Sequence, residues 1–397
     1  MPERLVTGIT FKNTQTGIVT DLGNYYVSKD YGLDVYPNLM PGRTSPGLYA
    51  WGSNGFGSLG LGDTINRSSP VQVGTLVNWK QVSAGYLHSA AIKNDGTLWG
   101  WGYDGYGQLG LGDTIDRSSP VQVSSVIPWR QVSCGGVHTM AIKTDGTLWG
   151  WGYNIDGELG LGDITDRSSP VQVSSVIPWR QVSCGSFHTM AIKTDGTLWA
   201  CGYDSYGQLG SGTGFNYSSP VQVSSVIPWQ QVSAGASHTM AIKTDGTLWA
   251  WGYNINGGLG LGDITDRSSP VQVGTLPYWR QVSCGGNYTM AIKTDGTLWA
   301  WGSNFDGNLG LGNLSSYNSP VQVGNLTNWK QVSAGNSHTM AIKTDGTLWA
   351  WGYNFNGNLG LGNTADRSSP VQVGSLTTWK TIEAGSEHTI AISDGQV

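Results

Sequence analysis

Pro70, Pro120, Pro170, Pro220, Pro270, Pro320 and Pro370 stand 50 residues apart, and Trp79, Trp129, Trp179, Trp229, Trp279, Trp329 and Trp379 each follow nine residues later. No insertion or deletion interrupts these seven registers until the last few residues. A period of this length means one supersecondary unit repeated, because a single unit cannot bury its apolar face and needs its neighbours as core. All 19 tryptophans fall into three columns of the register, so the period is structural.

Within one register the signals are for strands. "VQV" after a proline suits a strand start. "WRQVSCG" and "HTMAIK" are short β-prone runs, and "TDGT" before "LWAWG" is a hairpin turn whose glycine supplies a positive φ. A helix needs about 10 periodic residues free of glycine, and none is available. The reading is four antiparallel strands per unit, with "GYNIDGELGLGDITDRSSP" as the link to the next.

Seven such units form a closed ring or an open solenoid, and the two ends decide between them. The last register stops at "AISDGQV" without its "TLWAWG" strand, while the first opens on "GLYAWG", Gly47 to Gly52, which is that strand alone. Each end supplies what the other lacks. Closing the ring pairs edges that an all-β protein must otherwise protect. The expected fold is therefore all-β: a seven-bladed β-propeller over residues 47–397, closed by its terminal strands, behind an N-terminal arm at residues 1–46.

Composition narrows the function. Of 397 residues, 60 are glycine and 12% are charged, with a formal net charge of −5 and no Lys/Arg block. Nucleic-acid or anionic-membrane binding has little support from that balance. No apolar run approaches the roughly 20 residues that span a bilayer, and the first residues read as no export signal. Cys134, Cys184 and Cys284 share a column with Ala84, Ala234, Ala334 and Ala384, and Cys201 stands in a tryptophan column. Exchange with Ala marks small buried sites, so neither disulfides nor a cysteine metal site is expected.

The segment "LWGWGYDGYGQLGLGDTIDRSSPVQV" followed by "WRQVSCGGVHTMAI" resembles the repeat of the regulator of chromosome condensation family, and the likeness extends from Gly47 to Val397. It implies a seven-bladed propeller and leaves function open, since members include an exchange factor for a small GTPase and an inhibitor of β-lactamase. The exchange factor uses a β-wedge and a basic tail. Strict 50-residue spacing leaves no room for the wedge, and the first 47 residues carry four basic and four acidic side chains.

No catalytic, cofactor or metal site is expected. "GFGSLG" and "GYGQLG" match GxGxxG, yet more glycine and "SSP" follow where a dinucleotide fold needs a helix. Asp116-Arg117, Asp166-Arg167, Asp266-Arg267 and Asp366-Arg367 read as surface pairs in a polar loop. His88, His138, His188, His238, His338 and His388 share one column with Tyr288. Tyrosine is a poor substitute for a zinc ligand or a neutral-pH proton shuttle, so the column is read as structural: a ring packed within the blade and bonded to backbone after "VS.G".

Recognition is then expected where the copies differ. Two stretches vary: the triplets beginning at Asn54, Asp104, Asn154, Asp204, Asn254, Asn304 and Asn354, and the pair after "VS.G", such as Ser186-Phe187. Phe187, Tyr206, Phe305, Tyr106, Phe56 and Phe355 are the candidate contact residues on these loops. The arm alternates like a hairpin from Leu5 to Leu22, then becomes aromatic at Tyr25, Tyr26, Tyr31 and Tyr36. It is too short for its own core and is expected to dock on a partner or on another copy of the chain. The leader also resembles those of tailed-bacteriophage structural proteins. That likeness implies a non-enzymatic virion component assembled in the host cytoplasm, attached through the arm, with the propeller displayed to a host-surface protein or glycan. The alternative is a free protein-binding propeller.

Overall fold

The computed structural model describes residues 4–6, 10–12, 19–21, 25–27, 47–123, 128–174, 178–224 and 228–394, with side chains described from Gly47 onward save Ser174 and Ser224. The chain divides into two compact units, Met1–Thr44 and Ser45–Val397. In the first, Arg4–Val6 pairs with Tyr25–Val27 and Thr10–Lys12 with Val19–Asp21, both antiparallel. The alternating stretch is thus two nested pairs. Tyr25 and Tyr26 lie in its last strand, while Tyr31 and Tyr36 fall outside the described residues.

The second unit is a seven-bladed propeller of four-stranded antiparallel blades. The first blade runs Trp79–Ala84, His88–Lys93, Leu98–Gly102 and Arg117–Val123 from the axis outward. Five more follow from Trp129, Trp179, Trp229, Trp279 and Trp329. The closing blade takes Trp379–Ala384 and His388–Ser393 from the end of the chain and Gly47–Gly52 and Arg67–Val77 from its start. His388 pairs with Gly52, and Ser393 with Gly47. The innermost strands abut around the axis, Trp379–Ala384 against Trp79–Ala84, which completes the ring.

The core lies between blades. Met240, Ile242, Leu248, Ala250, Leu259 and Val273 of one blade pack on Trp279, Val282, Cys284, Ala291 and Trp301 of the next, and equivalent clusters occur at the other six junctions. The link glycines permit this approach. Gly57 has φ of 78°, and a Cβ there would stand 2.5 Å from the Cα of Ser118 in the next blade. Side chains are excluded at that position.

The outer strand departs from its expected start. It begins at Arg117, three residues before Pro120, and its register shifts between Arg117 and Val121. Lacking an N–H, the proline sits within that irregularity, where no ladder bond is asked of it.

Trp301 is fully buried in a between-blade cluster, donates from Nε1 to Gly258 O at 2.8 Å and meets Trp279 edge-on at 5.9 Å. Trp301→Ala should lower unfolding free energy by about 3–5 kcal/mol in a urea titration. A loss under about 1 kcal/mol would mean that the blades are not held by this core.

Candidate functional site: an acidic, aromatic loop face

The histidine column is placed first, because it separates frame from surface. His188 is fully buried, and its Nε2 lies 3.0 Å from Thr239 Oγ1 in the following blade. The threonine proton is already engaged, since Thr239 Oγ1 donates to Gln208 O at 2.8 Å. Nε2 must therefore carry the hydrogen and donate, leaving Nδ1 bare. Nδ1 has no partner in His88, His138, His188 and His338. Burial, reinforced by the neighbouring His238, pushes the His188 pKa down to about 3. The reading as a structural ring holds, but its partner is different from the one expected: a side chain of the next blade, so the bond joins blades. Tyr288 keeps the link by donating to His338 O at 2.6 Å, beside Thr339 Oγ1 at 2.9 Å. Ser89 serves His388 at the closing junction, at 2.8 Å.

The same carbonyl also receives a tryptophan. Trp251 Nε1 donates to Gln208 O at 2.9 Å, and the pattern recurs at Ser58, Gln108, Gly258, Asn308 and Asn358. Where Cys201 replaces the indole, its Sγ stands 3.4 Å from Glu158 O.

The two variable stretches lie on one face. Tyr203 N–H donates to Phe187 O at 2.8 Å, and Asn356 Nδ2 donates to Glu387 Oε2 at 2.9 Å, joining a triplet loop to the turn after "VS.G". The first residue of each triplet is not a contact residue, which corrects the expectation drawn from its variability. Asn54 is fully buried; its Oδ1 accepts Leu59 N–H at 2.9 Å and its Nδ2 donates to Asp63 O and Ile65 O. It shapes the loop from within. Asp104 cannot make those donations when ionised, and burial raises its pKa to about 7. Glu158, also buried, rises to about 8 for the same reason. The Asp-Arg dipeptides are reassigned too. Arg117 pairs with Asp113 at 2.7 Å, while Asp116 Oδ1 accepts Asp104 N–H at 2.8 Å.

The second triplet positions are exposed in all seven copies, the third are exposed or half-buried, and the turn aromatic Phe187 is exposed. Phe56, Tyr106, Phe187 and Tyr206 are 37–42% exposed, and Phe305 and Phe355 are 71% exposed. Three of them are tied together by tyrosines outside the candidate set. Phe56 meets Tyr103 at 5.1 Å, Tyr103 meets Tyr106 at 6.2 Å, Tyr106 meets Tyr153 at 5.1 Å and Tyr153 meets Phe187 at 6.0 Å, all edge-to-face. Tyr203, Tyr206 and Tyr253 continue the pattern. Phe305 stands apart from the arc, and Phe355 stacks on Tyr353. The loops of this face, residues 53–67, 86–87 and their equivalents, carry fourteen Asp and Glu against five Arg; without the buried Asp104, Glu158 and Asp204 the formal net is −6. The chain's modest overall charge hides that concentration.

A cavity of about 160 Å³ lies on the axis, lined by Ser83 to Tyr86 and their equivalents in the other blades. Its serine column links the blades: Ser83 Oγ accepts Cys134 N–H at 2.9 Å and Ser133 Oγ accepts Cys184 N–H at 3.0 Å. Two positions earlier, Gln131 grips Val182 through both its N–H and its carbonyl. The closing blade has Thr381 and Glu383 instead. Glu383 Oε2 accepts from Ser333 Oγ at 3.3 Å, and burial raises its pKa to about 7. The four cysteines are buried free thiols, and burial raises Cys184 to about 12, so they are poor nucleophiles. Among the described residues no three His, Cys, Asp or Glu side chains gather as a metal site, and no helix is long and apolar enough to cross a membrane.

A ring of four-stranded blades joined by a glycine-rich link and a His–Thr bond defines a repeat propeller. The sequence profile of the RCC1-like domain matches residues 180–397, and that of the regulator of chromosome condensation (RCC1) repeat matches 47–92, 95–142 and 145–192. The chain belongs to this family. Human WBSCR16 is similar over 89% of this chain and 100% of its own, at 22% identity and TM-score 0.80. Yeast RCC1 (Prp20), solved with Kap60, matches over 89% and 90% at 19% identity and TM-score 0.80. Prp20p from Saccharomyces cerevisiae matches over 89% and 92%, again at 19% and 0.80. At these identities the likeness establishes the fold.

His188→Ala should cost about 1–3 kcal/mol of stability, and Thr239→Val a similar amount. Measured together, they should cost less than their sum by about 0.5 kcal/mol or more. Strict additivity would show that the two do not share a bond. Glu383 gives a pH test. Its folded pKa, about 7, lies above the ordinary 4.5, so the fold loses stability as pH rises through that window. Glu383→Ser, the residue of the other six blades, should therefore stabilise little at pH 4.5 and most above pH 7. A gain that does not grow with pH would contradict the assigned protonation.

Proposed function

We propose that the chain is a protein-binding propeller whose loop face takes a partner with a basic, Lys- and Arg-rich surface. The observation that carries this reading is the arc of tyrosine and phenylalanine rings set within a face whose unburied side chains carry a formal charge of −6. Aromatic rings supply large contact area at low entropy cost, and their faces attract guanidinium and ammonium groups where surrounding carboxylates steer them. The rings stand on loops pinned by buried Asn side chains and by the between-blade bonds, so little ordering is left to the moment of binding.

The relatives support protein recognition in general. Yeast RCC1 (Prp20) was solved bound to Kap60, and Prp20p is described with binding properties to Gsp1p and histones. Nucleotide exchange on a GTPase is the less favoured form of this reading, for want of room for a wedge at 50-residue spacing. Attachment of Met1–Pro46 to a virion draws on the leader's resemblance alone. The comparisons favour the free binder over it.

The test is capture from a native extract with the full chain as bait. Changing Phe56, Tyr106, Phe187, Tyr206, Phe305 and Phe355 together to Ala should abolish recovery of basic proteins while the variant still unfolds in one cooperative transition, each lost ring contact costing about 0.5–1.5 kcal/mol. Equal recovery by the folded variant would sink the assignment.

A further inference from the structure

A second charged surface lies at the other end of the blades. Each inner strand starts far from the loop face, where Trp129 N–H donates to the carbonyl of Gly96 in the preceding blade's hairpin turn at 2.8 Å. The residue after each inner-strand tryptophan forms a column of its own: Lys80, Arg130, Arg180, Gln230, Arg280, Lys330 and Lys380. No two lie closer than 50 residues in the chain, so no basic block is visible, yet the fold sets six cations around the axis at the start of the inner strands.

Other charges on this face are already engaged. Lys143 is buried with its Nζ 3.6 Å from the Trp149 ring centre and 4.8 Å from that of Trp129, and Lys93, Lys193, Lys243, Lys293 and Lys343 are placed alike. Asp145 accepts from Thr147 N–H at 2.9 Å and Thr147 Oγ1 at 2.7 Å, in the hairpin radially outside the rim. Within the rim, Lys380 pairs with Asp394 at 2.9 Å and is the member with an ion pair among the described residues. Arg130 and Arg180 reach along the rim, each donating from Nη2 to a tryptophan carbonyl of the next blade at 2.6 Å, which fixes the guanidinium. Lys80, Arg280 and Lys330 are exposed.

We propose that this rim docks an acidic protein segment, a run of Asp or Glu side chains lying across the ring of cations. Five like charges held together with no ion pair among the described residues are relieved by carboxylates, and the fixed arginine forks suit carboxylate geometry. A nucleic acid fits less well. Its backbone would have to cross the outer ring of Asp145-type carboxylates, and Tyr278 is the one exposed ring on this face, among the described residues, on which a base could stack.

The experiment titrates the full-length protein with octaglutamate by calorimetry at about 50 mM and about 200 mM salt. Binding should occur at the lower salt and weaken at the higher. Lys80→Gln, Arg280→Gln and Lys330→Gln combined should weaken it at least about tenfold; Gln230 shows that the fold accommodates glutamine at this position. The six-alanine loop-face variant should bind the peptide as the unaltered protein does. Absence of binding at low salt, equal binding by the glutamine variant, or loss in the loop-face variant would overturn the proposal. So would an oligothymidylate of equal charge that binds more tightly than the peptide and is released by the same glutamine substitutions.

Discussion

Everything in the propeller depends on the bond that carries one blade onto the next. A loop carbonyl such as Gln208 O accepts both Thr239 Oγ1 and Trp251 Nε1 of the following blade, and Thr239 in turn accepts from His188. This relay satisfies four buried polar groups, and its direction is set by chemistry: the threonine hydroxyl can donate once, so the imidazole must be neutral and protonated at Nε2. Burial lowers the histidine pKa values to about 3 or 4, which keeps the relay intact across physiological pH. Apolar packing between blades contributes more free energy in total. The relay sets the register in which that packing occurs.

A frame held this way can leave its two ends chemically different. Inner strands run from the basic rim to the acidic loop face, so one repeated sentence places lysine or arginine at its start and a variable pair near its end. Two breaks in the repeat fall at one junction. Thr381 and Glu383 replace glutamine and serine where the closing blade meets the first, so that seam is made without the glutamine grip found between Gln131 and Val182. Its remaining bonds, His388 to Ser89 and Ser386 N–H to Gly85 O, are of the same kind as elsewhere.

The ring, its blade count and its closure were legible in the sequence because a 50-residue period with complementary ends admits few solutions. Histidine as a structural residue was legible from the Tyr288 exchange, but its partner was not. A contact to residue 51 further on has no local signature, and a backbone partner within the turn was the simpler local reading. Variability misled at Asn54 and Asp104, where substitution between Asn and Asp reflects shared loop-capping geometry in a buried site. Tyr103 and Tyr153 were overlooked for the opposite reason: near-invariance marked them as frame, although they bridge the exposed rings. Neither charged face could be read from the composition, since charge spaced at 50 residues averages away along the chain.

The central claim is that the histidine column is a neutral structural relay between blades, which leaves recognition to the faces. Side-chain nitrogen NMR of the full-length protein through a pH titration measures it directly. The account predicts six imidazoles in the Nε2–H form that do not titrate between pH 8 and about pH 5, with stability falling as pH drops from 6.5 because the unfolded chain takes up protons that the fold refuses. Imidazoles that titrate near pH 6.5 in the folded protein, or that carry the hydrogen on Nδ1, would contradict it.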